Sequence, residues 1–467
     1  MLSLTLQECI ERALGANLDL QIERVTPAIS EWNIVSAEGA FDPALTGSIN
    51  YQNSLEPLSP ERKAALNRDS LKDQQLQTNL SLIGTLQTGT RYELSAFDTL
   101  SGGTLAPDGI HTGTTGLTLT QPLLKNFGRS NTVAVRVARS DRQIAIEQTA
   151  GRVMDIVSDV SRSYYELVFA IEDHAAKLED LQRAKALLAD NRTRVEVGVM
   201  SPLDVTQAEA GAAEREEAVI VAERAIIERE NALKRLIASD VTTLRGVSLR
   251  PSESLPEDAV ATDAAESTRI ALTGRPEVKQ ARHEVERQSL LRAFNRNQAL
   301  PEVNLETSYG LNARGDTPRE WAHDLKDRNN PVWSVGLTAT MPLGNRQADA
   351  AYRIARLEEE RAGLTLRKLE QDIIVQVDNA VGRVRTNGKR VEATRVARRL
   401  AEESLKAEEA RLRAGASTSF LVLQAQSQLA AARSAEIRAK ADYGTSLVDL
   451  ARVEGTTLAK HHITLDE

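Results

Sequence analysis

The chain has one cysteine, few aromatic residues and no long apolar run, and each shortage removes a class of protein. Cys9 alone cannot build an intrachain disulfide framework or a cysteine-rich metal site. Aromatics at 3 % are too thin for a thick globular core. No stretch of about 18 consecutive apolar residues occurs, so no helix is expected to span a membrane. A formal net charge of −8, with no basic cluster interleaved with aromatics, argues against nucleic acid as a partner. There is no nucleophile–base arrangement and no phosphate loop, so neither enzyme chemistry nor a cofactor is expected. The pair His461-His462 has no third ligand nearby and indicates no metal site, and His111, His283 and His323 are scattered. Met1 runs directly into Leu2-Ser3-Leu4 and a helical pattern, so the chain reads either as cytosolic or as a protein whose leader has been removed.

What is abundant is helix-forming residues and repetition. Apolar residues make up 41 % and charged residues 27 % of 467, enough to fold and long enough for two or more domains. Ala, Leu, Glu, Arg and Gln dominate, the palette of long exposed helices. The segment Gly116-Leu117-Thr118-Leu119-Thr120-Gln121-Pro122-Leu123 recurs as Gly336-Leu337-Thr338-Ala339-Thr340-Met341-Pro342-Leu343. Gly198 through Ala208 recurs more loosely as Gly415 through Ala425, and Ala13-Leu14 and Pro43 recur as Ala271-Leu272 and Pro301. The chain is one supersecondary unit written twice.

Each repeat changes period in the same order. Residues 5–39 read as helix with a break at Ala16-Asn17. Alternation then sets in, with Leu45, Gly47, Ile49 and Tyr51 on one face and Thr46, Ser48 and Asn50 on the other. Similar alternation predicts four strands at about 43–53, 76–86, 90–98 and 114–122, and two in the second repeat at about 302–310 and 333–341. Long polar connections (54–75, 99–113 and 311–331) lie at one end, and a tight glycine-bearing turn (86–90) at the other. That is the layout of an outer-membrane barrel. Tyr51, Tyr92, Tyr309 and Trp333 fall where an aromatic girdle belongs.

Helix follows each strand block. Arg152 to Val197 contains neither glycine nor proline, and Val153, Val157, Val160, Tyr164, Leu167, Ile171, His174, Leu178, Leu181, Lys185, Leu188, Arg192 and Val195 keep 4-3 spacing. Ala348 to Arg413 is also free of proline, a helix of roughly 100 Å. The helices turn back at Gly198 and Gly415, and Ser201-Pro202-Leu203-Asp204 reads as a capping box opening the return helix. The predicted organisation is a first repeat over 1–238 with strands about 43–122 and a hairpin turn at 198–201. A link at 239–266 leads to a second repeat over 267–458, with strands about 302–341 and a turn at 415–419, and a tail at 459–467.

Six amphipathic strands cannot leave open edges in lipid. They are expected to close with symmetric copies, three copies giving 18 strands, or 12 if the 76–98 hairpin lies outside the barrel. The sequence resembles the TolC-like outer-membrane efflux family over nearly its whole length. The resemblance is carried by Ala13-Leu14-x-x-Asn17-Leu18-Asp19-Leu20, Ala40-Phe41-Asp42-Pro43 and Leu119-Thr120-Gln121-Pro122-Leu123-Leu124. Val197-Gly198-Val199, Arg275-Pro276-Glu277, Met341-Pro342-Leu343 and Ala414-Gly415 complete it.

The resemblance implies an α+β fold: a trimeric outer-membrane β-barrel, in contact with outer-membrane lipid, continued by a long α-helical coiled-coil periplasmic tunnel. It implies a mixed belt formed by the link and the C-terminal tail. The function it implies is that of a homotrimeric exit duct of a tripartite efflux or type I secretion system. Such a duct conducts passively and is supplied by an inner-membrane pump and a periplasmic adaptor. Val197, Gly198, Val199, Ala414, Gly415 and Ala416 would form the adaptor-docking tips. Asp204, Leu421 and Gln424 would lie at the periplasmic entrance. Members often carry acids at the positions held here by Leu421 and Gln424, and basic or aromatic partners at those held by Leu412 and Ser417. The entrance is therefore expected to be gated more by packing than by charge. The competing reading, a cytosolic coiled-coil scaffold or filament, explains the heptads but not the proline-bracketed alternating blocks.

Overall fold

The computed structural model describes residues 2–104, 107–258 and 260–464. The first half runs β1 (Leu2–Leu4), α1 (Leu6–Ala16), α2 (Leu18–Glu38), β2 (Ala44–Pro57), α3 (Pro60–Leu66), β3 (Ser70–Thr85), β4 (Arg91–Gly103), β5 (Ile110–Pro122), α4 (Val133–Glu196) and α5 (Pro202–Ile237). The second half runs β6 (Leu249–Pro251), α6 (Ala264–Gly274), α7 (Pro276–Gln298), β7 (Glu302–Gly315), α8 (Pro318–Asp327), β8 (Pro331–Thr340), α9 (Arg346–Arg413), α10 (Ser419–Glu454) and α11 (Thr457–Lys460). The chain divides into two units. One comprises Met1–Ala28, Ile144–Arg282 and Leu364–Glu467; the other comprises Ile29–Gln143 and His283–Gly363.

The second unit holds one six-stranded antiparallel sheet in the order β2-β3-β4-β5-β7-β8. Four strands come from the first repeat and two from the second, and they run longer than the alternation predicts. The outer halves of β3 and β4 carry polar residues on both faces, such as Lys72, Asp73, Gln74, Thr99 and Ser101, so periodicity fades while the backbone ladder continues. Among the described residues, α3 forms within 54–75 and α8 within 311–331, and β4 and β5 take up the two ends of 99–113. Asp324 of α8 accepts the Arg314 backbone N–H at 2.9 Å, covering a part of the β7 edge that β8 leaves unpaired.

Helical segments of the same unit form a row. Arg139 and Arg142 of α4 pair with Glu38 and Glu31 of α2. Ser140 donates to the His283 carbonyl of α7 at 3.2 Å, and Arg287 of α7 lies 3.6 Å from Asp141. Arg292 of α7 then pairs with Glu359 of α9 at 2.9 Å. The row α2-α4-α7-α9 therefore ends on α2 and α9, as the sheet ends on β2 and β8.

In the first unit the repeat is visible as two equivalent cores. Ile10 and Ala13 of α1 pack with Val153, Val157, Val160 and Tyr164 of α4 and Leu233 of α5. Ala271 of α6 and Val278 of α7 pack with Ile373, Val377 and Val381 of α9 and Leu450 of α10. The break at Asn17 is anchored: its amide donates to the Leu236 carbonyl and its side-chain oxygen accepts the Leu20 N–H.

Three expectations change here. The chain begins with a strand, β1, which pairs in parallel with β6 of the link; three residues are too few to show a period. The belt expected from the link and the tail therefore takes its strand partner from the N-terminus. Of the tail, Ile463 packs against the core beside Leu458, the last residue of the second repeat, and residues 465–467 lie outside the described residues. The heptad seam on α4 is buried from Val153 to Leu167, but of its later members Leu178, Lys185 and Arg192 are exposed. Asp173, Asp180, Ala184, Leu187 and Asn191 are buried instead, because this part of α4 faces α10. Ser434 donates to Asp173, and Arg433 lies 3.8 Å from Asp180.

Tyr164 and Tyr443, both fully buried, pin the link. The Tyr164 hydroxyl donates to the Leu4 carbonyl and accepts the Glu253 N–H, each at 3.2 Å. That of Tyr443 donates to the Asp258 carbonyl at 2.8 Å and accepts the Val260 N–H at 2.9 Å.

Candidate functional site

Both long hairpins turn by the same device. Gly198 has φ 77° and Gly415 φ 73°, the left-handed conformation that ends a helix without a Cβ clash. Gly198 N–H bonds to the Val195 carbonyl and Val199 N–H to the Arg194 carbonyl; Gly415 and Ala416 do the same toward Leu412 and Arg411. These paired bonds are a Schellman motif written twice. The first tip then opens α5 with a full capping box: Leu203 N–H donates to the Ser201 hydroxyl, and Asp204 accepts the Ser201 N–H at 3.2 Å. The second tip has no side-chain cap on Thr418.

Val197, Gly198, Val199, Ala414, Gly415 and Ala416 are all exposed, with Val199 at 73 %. Leu421 and Gln424 occupy the exposed face of α10, opposite Val422, Ala425 and Leu429, which are buried with Leu187, Leu405 and Leu412. Leu412 is thus a core residue of the tip, and Ser417 donates to Glu408. Asp204 is engaged as a helix cap.

The residue that brings the tips together was not found from sequence. Asn191 of α4 is fully buried, and its amide donates to the Ser419 hydroxyl of α10 at 2.6 Å and to the Asp204 carbonyl of α5 at 3.2 Å. Arg194 adds a 3.5 Å bond to the Leu412 carbonyl. Its only sequence signal is a polar residue continuing the spacing of Ala184 and Leu187. Exposed Leu203 and Phe420 enlarge the apolar surface of the tips and were also missed.

A second functional surface is the sheet. Antiparallel partners share a face, and the register puts Leu45, Leu82, Leu94, Leu117, Tyr309 and Trp333 on one side. Tyr51, Tyr92, Leu119 and Leu337 belong to the same face. Thr46, Ser81, Ser95, Gly116, Gly310 and Val332 lie on the other, which is mostly polar. The apolar face is open, with Ile49 at 76 % and Trp333 at 72 % exposure. A continuous exposed apolar face backed by a polar one suits a wall between lipid and water.

Among the described residues no group of three or more His, Cys, Asp or Glu could hold a metal ion. No helix among them is long and apolar enough to cross a membrane.

The sequence matches the family described as outer membrane efflux protein over residues 10–239 and 268–456. The chain belongs to that family. This efflux protein is an outer-membrane channel with a helical periplasmic part, a conduit without catalytic chemistry. Its fold is similar to that of the CmeC outer membrane channel of Campylobacter jejuni, with TM-score 0.66 and 16 % identity over 97 % of this chain and 86 % of that one. It is also similar to the outer membrane protein VceC of Vibrio cholerae, with TM-score 0.69 and 18 % identity over 96 % of each chain. The open state of the Neisseria gonorrhoeae MtrE outer membrane channel gives TM-score 0.65 and 16 % identity, over 97 % and 89 %. No curated protein matches the sequence.

Proposed function

We propose that three copies of this efflux protein close head to tail into an exit duct. The duct passively conducts substrates delivered by an inner-membrane pump through a periplasmic adaptor. One observation carries the reading: the sheet and the helical row of the second unit both stop at the same chain ends, β2 with α2 and β8 with α9. Among the described residues, β2 and β8 each have one edge without a strand partner. On α2, Leu18, Ile22, Val25, Ile29 and Trp32 form an exposed 4-3 stripe, and Ile354, Leu357 and Leu364 lie exposed on α9. A β2 edge meeting the β8 edge of the next copy, and α2 meeting the next α9, is a heterologous interface that closes as a ring. The tips at Gly198 and Gly415, with Val197, Val199, Ala414 and Ala416, supply the apolar surface for the adaptor. Asp204, Leu421 and Gln424 lie beside it at the entrance. The cytosolic scaffold reading gives way to an outer-membrane assignment.

The test is conductance. Purified protein added to a planar lipid bilayer is expected to give discrete ohmic steps that need no nucleotide. Protein that folds and inserts but never conducts would refute the duct.

A further inference from the structure

The duct reading leaves open whether the β3–β4 hairpin belongs to the wall, and on that reading the geometry decides it. We propose that the hairpin is an integral pair of wall strands, so that three copies close an 18-stranded barrel rather than a 12-stranded one with three loose hairpins.

Pairing comes first. β2 bonds to β3 along its whole length, from Ala44↔Ile83 to Pro57↔Ser70, and reaches β5 only through β3 and β4. A hairpin displaced from the wall would strip β2 of its in-chain partner and leave new open edges in lipid.

The faces agree as well. Leu76, Leu80 and Leu82 of β3 and Tyr92, Leu94 and Leu100 of β4 fall in register with Leu45 and Tyr51 of β2 and Leu117 and Leu119 of β5. Asn79, Ser81, Ser95 and Thr99 share the polar face. A hairpin standing in water has no use for an apolar face in phase with its neighbours.

The hairpin turn is also seated. The Thr88 carbonyl accepts the Gly128 N–H at 3.0 Å, and the Leu86 carbonyl accepts the Asn131 side-chain amide at 3.1 Å. Gly89, at φ 92°, passes so close to the Asn126 carbonyl that a Cβ would stand 2.4 Å from it. The turn is therefore built into the rim where β5 hands over to α4.

Widths agree too. Six strands tilted about 40° cover roughly 38 Å of wall. Four packed helices cover roughly 32–40 Å. Six strands and four helices per copy thus meet without a step, and 18 strands give a barrel roughly 36 Å across between backbones. A wall of this size encloses a water-filled passage.

Single cysteines test the proposal. The native thiol does not interfere, because burial pushes Cys9 up to about 12 and keeps it protonated. The variants Leu80→Cys and Leu94→Cys probe the apolar face of the hairpin, and Asn79→Cys and Ser95→Cys the polar face. Leu117→Cys and Thr118→Cys on β5 report on the barrel itself. In isolated outer membranes, a membrane-impermeant maleimide is expected to label the two polar-face hairpin variants roughly tenfold faster than the apolar-face pair, with the same contrast on β5. Contrast on β5 with equal labelling of all four hairpin sites would overturn the 18-stranded wall and leave the duct standing. Absence of contrast on β5 would remove the barrel itself, and the inference with it.

Discussion

Arg452 shows how a few residues hold the hairpins in place. Its guanidinium is largely buried and bonds to Asp155 of α4 at 2.5 Å and to Glu277 of α7 at 2.7 Å, while Arg275 bonds to Glu277 at 3.2 Å and to Gln376 at 2.8 Å. Burial by itself would raise the Glu277 pKa, but the bonds from Arg275 and Arg452 and the Arg452 charge outweigh it and hold it at about 2. The folded pKa is below the unfolded one. The stabilisation is therefore complete above the ordinary value of 4.5 and is lost as pH falls toward 2. Its size is about 3 kcal/mol. Denaturant titrations of the native protein and of Glu277→Gln should differ by that order at pH 7 and converge near pH 2. An equal gap at both ends would reject the assignment. Asn191 offers a second residue-scale test. Asn191→Ala removes the bonds that join the two tips and should cost about 1–3 kcal/mol locally. Hydrogen exchange is expected to quicken at both 197–204 and 414–421 and to stay unchanged at 153–167. A change confined to the first tip would show that Asn191 does not couple them.

At the scale of elements, the tips separate backbone cost from docking. Nothing lies within 4 Å of a Cβ added at Gly198 or Gly415, so Gly198→Ala and Gly415→Ala carry only the left-handed penalty, about 1–2 kcal/mol each. The helices should persist by circular dichroism while efflux falls. Full efflux by the double variant would argue that adaptor docking tolerates an altered turn.

Elements were also where the sequence was most and least readable. Leu45 through Tyr51 and Leu117 through Leu119 announced their strands because one face is apolar and the other polar. Gly198 and Ser201-Pro202-Leu203-Asp204 announced the first tip because turn chemistry is local. β1 stayed hidden because a three-residue strand has no period, and α8 because Trp321, Ala322 and Leu325 are too few apolar residues to mark a helical period in an otherwise polar connection. Asn191 stayed hidden because its partners, Ser419 and the Asp204 carbonyl, are supplied by other helices. The later seam of α4 was misplaced for the same reason: Asp173, Asp180 and Asn191 are buried by bonds to α10, which a rule counting apolar residues cannot anticipate.

At the scale of the whole molecule, the exposed apolar stripe on α2 and its counterpart on α9 require a partner. A charge there should prevent copies from meeting without disturbing the single chain. Trp32→Glu and Leu357→Glu are expected to keep their helical content and run as monomers in native mass spectrometry from detergent. Trimers surviving both substitutions would move the interface elsewhere.

The central claim is that a membrane-embedded ring of three chains carries the helical hairpins. Single-particle electron microscopy of the detergent-purified protein tests it most directly. The expected particle has threefold symmetry, with a detergent belt around the sheet and the helical hairpins outside it. A monodisperse single chain that needs no detergent and shows no belt would contradict the account.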